Sequence, residues 1–368
     1  MKLSLLYLYD FNKPFIFIIE FLFLGLCLSF FIIDEFKLFL DLFLQGFMKG
    51  LLYAMTLFSL FLLFLACHLK ALWHKPSLSF FKEGEKIFSE KINTYLTPMN
   101  TALALSCIVV IDLYKSIFCL AKSLIQKIHP YSFDAFFIAL EKKIHFGKLP
   151  HQFFYDYLAP NHLNILIEIM AYFYVAWIFY ILVFQIYACI YQLCHRRKLV
   201  YLYANFILFT IGGFVIATIF SSVGPLFLPD IFRHLSHHYP NFAHILSERE
   251  TYTGYKTYLA YLFLIQEHQS PQIAALNGIT AFPSMHVASS FLIVFLFWHK
   301  SLSIKTLTLI FALSILLGSV LLGFHYAVDG YAGILLAYLS FKTAEKCADI
   351  HLNKIEVAHI TLKDNPQS

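Results

Sequence analysis

Long apolar runs joined by short polar segments constrain this chain more than any other feature. A helix needs about 20 mostly apolar residues to cross the roughly 30 Å hydrocarbon core of a bilayer. Runs of this character lie at about residues 14–33, 47–67, 101–121, 164–193, 199–223, 284–298, 303–322 and 328–344. The sequence therefore predicts an all-α integral membrane protein, a polytopic bundle of about eight transmembrane helices.

The composition supports the bilayer as the solvent of this fold. Hydrophobic residues make up 60% of the chain and charged residues 13%, whereas a soluble globular chain has about half and a quarter. A buried helix of a large soluble protein explains any one run but not the whole series. A transmembrane β-barrel is excluded, because its strands alternate apolar and polar residues. The seven cysteines form no close pair that suggests a metal or redox site, so we interpret them as small apolar side chains.

The basic residues lie in the joints between the runs, although the formal net charge is +5. Nucleic acid is therefore not an expected partner, because the sequence shows no basic cluster of the size of a groove. With a cytoplasmic amino terminus, the joints at 70–91 and 196–198, the turn at Lys300 and the carboxyl-terminal segment are cytoplasmic, as the positive-inside rule favours. The lysines between residues 122 and 148 oppose this orientation.

Two long joints are too polar to span the membrane. Residues 125–160 are expected to include an interfacial helix with one apolar side. That side is formed by Phe136, Phe137, Leu140 and Ile144. Residues 224–280 are expected to form a lid or substrate-recognition segment on the outer face.

Two short motifs near the carboxyl end carry ionisable residues at the ends of apolar runs. They are AFPSMHVA, at 281–288, and GFHYAVDGYAG, at 323–333. In the first motif Pro283 suits the opening turn of a helix, and Ser284 and His286 follow inside that turn. Free backbone amides and the helix dipole can hold a phosphate at such a place.

The second motif pairs a histidine with a carboxylate. His325 and Asp329 are four residues apart, on one face if this part is helical, so the carboxylate can fix the imidazole tautomer as in a catalytic triad. From His286 the chain crosses the membrane, turns near Lys300 and returns to His325, which places both histidines at one membrane face. With the orientation given above, this pocket faces away from the cytoplasm.

Both motifs resemble those of the type 2 phosphatidic acid phosphatase superfamily, membrane enzymes that act on lipid phosphates and diphosphates. PSMH resembles the family's Pro-Ser-x-His motif, and HYAVD resembles its closing motif of histidine, three residues and aspartate. Tyr326 and the segment SSVGPLF, at 221–227, are similar to the branch of inositol phosphorylceramide synthases and sphingomyelin-synthase-like transferases. The resemblance covers residues 130–345 approximately.

The resemblance implies a role for each motif residue. His325 would be the nucleophile that attacks phosphorus, Asp329 would orient it, and His286 would protonate the departing alcohol and later activate the acceptor. Pro283 and Ser284 would help to hold the phosphate. The implied route passes through a phosphohistidine and needs no cofactor and no metal. The histidines at 234–244 are not an expected metal site.

Two arginines of the family motifs are missing. Ser319 occupies the position six residues before the nucleophilic histidine, and Gly224 precedes Pro225 where many members have arginine before proline. The transferase-like branch also tends to lack these arginines, which favours a lipid phosphotransferase. Phosphoryl charge needs cationic partners, and the candidate phosphate ligands are Arg233, Arg249 and Lys256.

The sequence thus predicts a membrane lipid phosphatase or phosphotransferase whose partners are a lipid substrate and the bilayer. The expected organisation is amino-terminal membrane helices at 1–125, a catalytic transmembrane bundle at 126–348 and a polar tail at 349–368. The alternative is a polytopic transporter or channel with a His/Asp proton relay. The enzyme is favoured because the ionisable residues gather at one end of the bundle. Water and a lipid alcohol stay open as acceptors.

Overall fold

The computed structural model describes residues 2–32, 86, 90, 97–192, 194–239, 261–262, 264–266 and 279–364. These residues form helices, turns and connecting loops, with no strand among them. The longer helices are α1 (Lys2–Ile32), α2 (Pro98–Ile128), α3 (Asp134–Ile144), α4 (Pro150–Tyr157), α5 (Pro160–Ile186), α6 (His195–Ile207), α7 (Met285–Phe297), α8 (Leu302–Leu321) and α9 (Ala327–Asp364). The all-α fold class is therefore confirmed for the described part of the chain.

Four described helical stretches are long and apolar enough to cross a membrane. They are Pro98–Gln126, Asn161–Tyr191, His195–Ile219 and Leu302–Leu321. The prediction of about eight spans is not confirmed. The run at 47–67 lies outside the described residues, and the run at 284–298 forms α7, which has only 13 residues. Residues 14–32 of the first run lie in α1 and the run at 328–344 lies in α9, and these two helices are not among the four.

Helices α1 and α9 are longer than the apolar runs that predicted them. Helix α1 begins at Lys2 and contains Pro14 in its interior. Helix α9 has 38 residues and continues through most of the expected polar tail. His351 and Ile355, one turn apart, are buried there, and His351 Nε2 donates a hydrogen bond to the carbonyl oxygen of Asp10 at 2.8 Å. The tail sequence is polar overall, but its buried positions follow the helical period.

The chain divides into two compact units. The first unit comprises Met1–Ile117, Leu182–Leu202 and Glu345–Ser368. Within it, Arg196 and Asp349 form a bidentate ion pair with nitrogen–oxygen distances of 2.6 and 2.9 Å. Free thiols are found at Cys107, Cys119, Cys189, Cys194 and Cys347.

The second unit comprises Phe118–Ile181 and Tyr203–Ala344 and contains both motifs. Helices α7 and α8 pack against each other and are joined by a short turn. At 1.5 Å per residue they are about 20 and about 30 Å long. Because the chain reverses between them, the beginning of α7 and the end of α8 lie at the same end of this helix pair.

Helix α3 occupies the region of the expected interfacial helix, and the face that it turns toward the unit carries carboxylates as well as apolar side chains. The expected apolar side included Phe136 and Ile144, which are 53% and 46% exposed. The buried face consists of Asp134, Phe137, Ile138 and Glu141. Two carboxylates therefore point into the unit, and exposed aromatic and aliphatic side chains point out. The acceptors that these carboxylates provide explain the inward orientation, since buried backbone amides and hydroxyls need partners.

Asp134 is the partner of three such donors. Its carboxylate accepts hydrogen bonds from the amides of Val223 and Gly224, each at 3.1 Å, and from the Tyr326 hydroxyl at 2.8 Å. Gly224 has a φ of +88°, and a Cβ at this position would lie 2.6 Å from the carbonyl oxygen of Phe324. Only glycine fits this turn without strain. Asp134 thus joins α3 to two loops that are far away in sequence.

We predict that Asp134→Ala strongly destabilises the protein, because it leaves two buried amides and one buried hydroxyl without an acceptor. The expected loss is on the order of 3–5 kcal/mol. The matched control is Asp156→Ala, whose exposed carboxylate lies 3.7 Å from the Lys148 ammonium and whose loss is expected to stay below about 1 kcal/mol. Thermal unfolding of the purified proteins in detergent measures the difference. Equal melting temperatures for the two variants would contradict the prediction.

Candidate active site

The beginning of α7 carries the first motif. Ser284 is the N-cap residue, and its hydroxyl accepts a hydrogen bond from the Val287 amide at 3.4 Å. The sequence placed Pro283 in the opening turn, whereas the helix begins at Met285 and Pro283 precedes the cap. His286 lies in the first turn, as expected. Ser284 is fully buried, so the cap fixes the start of α7 in the interior of the unit.

His325 lies in the loop between α8 and α9 and is 6% exposed. Its ring Nδ1 is 2.7 Å from the carbonyl oxygen of Ala281, in the first motif. A carbonyl oxygen can only accept a hydrogen bond, so Nδ1 carries the proton in this arrangement. In the neutral ring Nε2 then keeps its lone pair, and it makes no hydrogen bond to a described residue. The geometry leaves Nε2 available as a nucleophile or base.

His286 faces this ring. The centroids of the two imidazoles are 5.7 Å apart, with an angle of 60° between the ring planes. On its other sides His286 stacks on Tyr174 at 4.6 Å and contacts Trp177 at 4.3 Å, both from α5. The Trp177 indole is itself fixed, because it donates a hydrogen bond to the Ser289 hydroxyl at 3.1 Å. The two motif histidines therefore share one site, and aromatic rings hold His286 in place.

Asp329 is fully buried beside His325. Its Oδ2 lies 3.7 Å from His325 Nδ1, which is longer than a hydrogen bond, and accepts a hydrogen bond from the Tyr326 amide at 2.8 Å. His325 precedes the first residue of α9, so the two residues are not stacked on one helical face. The Ala281 carbonyl makes the contact that the sequence assigned to this carboxylate. Asp329 instead closes the loop that carries His325.

Burial lowers the pKa of His325 to about 4. The Ala281 carbonyl opposes this effect, because its hydrogen bond favours the protonated ring. The positive charge of Lys122 lowers the pKa further. His325 is therefore neutral near pH 7, which is the form in which Nε2 has a lone pair.

A second carboxylate of α3 also holds the His325 loop, and the sequence reasoning missed it. Glu141 is buried and accepts hydrogen bonds from the Tyr239 hydroxyl, at 2.9 Å, and from the Ala327 amide. Burial raises the pKa of Glu141 to about 7, although both hydrogen bonds favour its charged form. The signal was available in the sequence, since Asp134 and Glu141 are seven residues apart and so lie on one face of a helix.

The positions of the missing arginines are occupied by residues that have structural roles. The carbonyl of Ser319, which is fully buried, accepts a hydrogen bond from the His325 amide at 3.2 Å. Gly224 lies in the positive-φ turn held by Asp134, where a Cβ would meet the Phe324 carbonyl oxygen. Close packing also brings α9 onto α7, since a Cβ on Gly333 would lie 2.8 Å from the Ser284 carbonyl oxygen. No cation reaches the site from these two positions.

The expected phosphate ligands are not brought to the histidines by the described structure. Arg233 lies in an exposed turn, and it is not among the charges that act on His286 or His325. Arg249 and Lys256 lie outside the described residues, as does most of the expected lid. The cation that does act on both histidines is Lys122, near the end of α2.

Metal-ligating side chains are not grouped in the part of the chain that the structure describes. No set of three or more His, Cys, Asp or Glu residues there has an arrangement that could hold a metal ion. Of the histidines at 234–244, His234, His237 and His238 are described, whereas His244 is not.

The site can now be compared with known proteins. No curated protein and no solved structure gives a match to the chain. A family model described as the PAP2 superfamily matches residues 137–343, which is more than half of the 368 residues and includes both histidine motifs. Four apolar helices of membrane-spanning length are consistent with a membrane protein of this kind. The chain belongs to the PAP2 superfamily.

Proposed function

We propose that this chain is a membrane lipid phosphatase or phosphotransferase that works through a phosphohistidine on a lipid phosphate or phosphodiester headgroup. Family membership supports phosphatase or phosphotransferase chemistry in general. The observation that carries the more specific proposal is the state of His325. Its Nδ1–H is held by the Ala281 carbonyl, and its Nε2 lone pair is directed away from that bond, with His286 beside the ring.

In the first half-reaction His325 Nε2 attacks phosphorus and forms an N–P bond. The bond between phosphorus and the departing alcohol oxygen breaks, and His286 gives a proton to that oxygen. The step requires His286 to be protonated in the substrate complex, where the negative phosphate favours the charged ring. The Asp329 carboxyl group lies 3.7 Å from Nδ1, close enough for its ionised form to stabilise the positive ring of the phosphohistidine. This role needs proximity only and does not need a hydrogen bond.

In the second half-reaction His286, now neutral, takes a proton from the acceptor hydroxyl. The acceptor oxygen attacks phosphorus, the N–P bond breaks, and its electron pair returns to Nε2. Water as acceptor gives a phosphatase, and a lipid alcohol gives a transferase. The same side chains serve both reactions, so the acceptor depends on what reaches the pocket.

The proposed branch is that of inositol phosphorylceramide synthases and sphingomyelin-synthase-like transferases. It rests on Tyr326 and on the SSVGPLF segment at 221–227. The two features share one contact that supports the proposal, since the Tyr326 hydroxyl and the amides of Val223 and Gly224 all bind Asp134. Incubation with a panel of lipid phosphates, with and without lipid alcohols, followed by product identification, distinguishes hydrolysis from transfer.

The alternative of a transporter or channel is not favoured. Membership in the PAP2 superfamily points to enzymes. In addition, His286, His325 and Asp329 are grouped in one site, whereas a proton relay needs groups that follow one another across the membrane.

We predict that His325→Ala lowers the turnover of lipid phosphate by at least about a thousandfold, because the covalent route loses its nucleophile. His237→Ala, which removes an exposed histidine of the same unit, is the matched control and should retain wild-type activity. Phosphate release or headgroup transfer by the purified proteins measures both variants. A folded and fully active His325→Ala protein would contradict the proposed role of His325 as the nucleophile.

We predict that turnover continues after exhaustive treatment with a chelator of divalent cations. Two histidines and a carboxylate provide the nucleophile, the acid and base, and the charge stabilisation that this route needs. The same assay is run before and after chelation. Loss of activity that one specific divalent ion restores would indicate metal-assisted chemistry instead.

We predict that the site faces away from the cytoplasm, as the basic joints indicate. Lys143, exposed on α3, lies near the site end of the unit, since the neighbouring His145 contacts the Tyr331 hydroxyl at 3.1 Å. Ser301, exposed in the turn between α7 and α8, lies at the other end. In an active cysteine-free protein, Lys143→Cys should react with a membrane-impermeant thiol reagent on intact cells. Ser301→Cys should react only after permeabilisation, and the reverse pattern would place the site at the cytoplasmic face.

A further inference from the structure

The charge balance of the candidate site is incomplete without a cation. A phosphoryl group brings negative charge, and the described carboxyl groups around the site, Asp329 and Glu141, provide no positive charge to balance it. The arginine positions of the family motifs are Ser319 and Gly224, which have no positive charge. Transition states of phosphoryl transfer are stabilised by cations or directed amides at the phosphoryl oxygens. Such a group must come from another element of the chain.

The last turns of α2 pass beside the first turn of α7. A Cβ placed on Gly213 would lie 2.7 Å from the ring of Phe118, on α2, and 3.4 Å from the Met285 methyl carbon, at the start of α7. Phe118 and Met285 therefore approach the same point. Lys122 is one helical turn beyond Phe118, on the same face of α2. This position places its flexible side chain beside the residues that carry His286.

Lys122 acts electrostatically on both histidines. Its positive charge is felt by His286 and by His325. The ionisable group that acts on Lys122 is the Cys119 thiol, and no carboxylate does so among the described residues. Lys122 also forms no hydrogen bond or ion pair with any side chain in the described ranges. An ammonium in an apolar span without a counterion is costly, and in membrane enzymes such charges usually face a functional cavity.

We propose that Lys122 is the phosphate-binding cation of this site and takes the place of the missing arginines. Its ammonium binds the non-bridging oxygens of the phosphoryl group while His325 and His286 act on the bridging positions. The start of α7 adds the positive end of its helix dipole. The ligand class is a phosphate monoester or diester anion. The inference rests on the proposed function for its substrate, although anion binding itself can be measured without turnover.

The test compares four full-length proteins in detergent: wild type, Lys122→Met, Lys122→Arg and Lys305→Met. Lys305 is a matched control, because it lies in the first turn of α8, about 24 Å along that helix from the site end. The probe is orthovanadate, a phosphate analogue, and its Kd is obtained from the protection that it gives against thermal unfolding. Lys122→Met should raise the Kd about 10- to 100-fold, as expected for the loss of one charge-assisted contact. Lys122→Arg and Lys305→Met should remain near wild type.

The acidic limb of the pH–activity profile distinguishes a binding role of Lys122 from a purely structural role. The charged and titratable groups that face His325 in the described structure are Asp329, His286 and Lys122. Lys122 lowers the pKa of His325, so its removal raises that pKa and moves the acidic limb to higher pH. Lys122→Met should show this shift, and Lys122→Arg should not. If Lys122→Met does not fold, Lys122→Gln replaces it in both measurements.

The outcomes separate the two proposals. Equal vanadate Kd values for wild type and the uncharged Lys122 variant, or no vanadate binding by wild type, would overturn the assignment of Lys122. Vanadate binding that depends on Lys122 supports it, even if no lipid phosphate is turned over. The absence of lipid phosphate turnover, with vanadate binding intact, would instead contradict the proposed lipid substrate.

Discussion

The site depends on a hydrogen-bonded circuit that begins and ends at the buried carboxylate of Asp134. Asp134 holds the amides of Val223 and Gly224. The carbonyl of the preceding Ser222 accepts a hydrogen bond from the Ala281 amide at 2.9 Å, and the Ala281 carbonyl fixes the His325 ring. The next residue, Tyr326, returns to Asp134 through its hydroxyl. Each bond in the circuit positions the next, so the orientation of the His325 ring depends on a carboxylate of the short helix α3.

Much of the site could be predicted because its chemistry is concentrated in short local motifs. His286 and His325 are separated by two antiparallel helices, so the helix lengths alone predict that they lie at the same membrane face. In the structure the centroids of the two rings are 5.7 Å apart. The orienting contact could not be predicted in the same way. A backbone carbonyl has no sequence signal, so Asp329 received the role that the Ala281 carbonyl has in the structure.

The fold was harder to predict where polar residues turn inward or where a helix exceeds its apolar run. Apolar periodicity grouped Phe136 and Ile144 on one side of α3, where both are exposed. It gave no indication that Asp134 and Glu141 point inward, where donors from distant loops bind them. Hydropathy ended the last span near residue 344, although α9 continues to Asp364 because its buried positions keep the helical period. Lys122 was considered only as an exception to the charge rule for loops, since its approach to the histidines arises from tertiary packing.

The hydrogen-bonded circuit also determines how late in synthesis the site can form. Asp134 and its partner Tyr326 are 192 positions apart in sequence, and Glu141 and Ala327 are 186 apart. Contacts of such separation form late, because the loop between them must be closed first. During synthesis both carboxylates of α3 are complete long before their donors exist. The His325 ring therefore acquires its geometry only when nearly the whole bundle has been inserted, and in a chain that stops short of α9 the two carboxylates of α3 lack those partners.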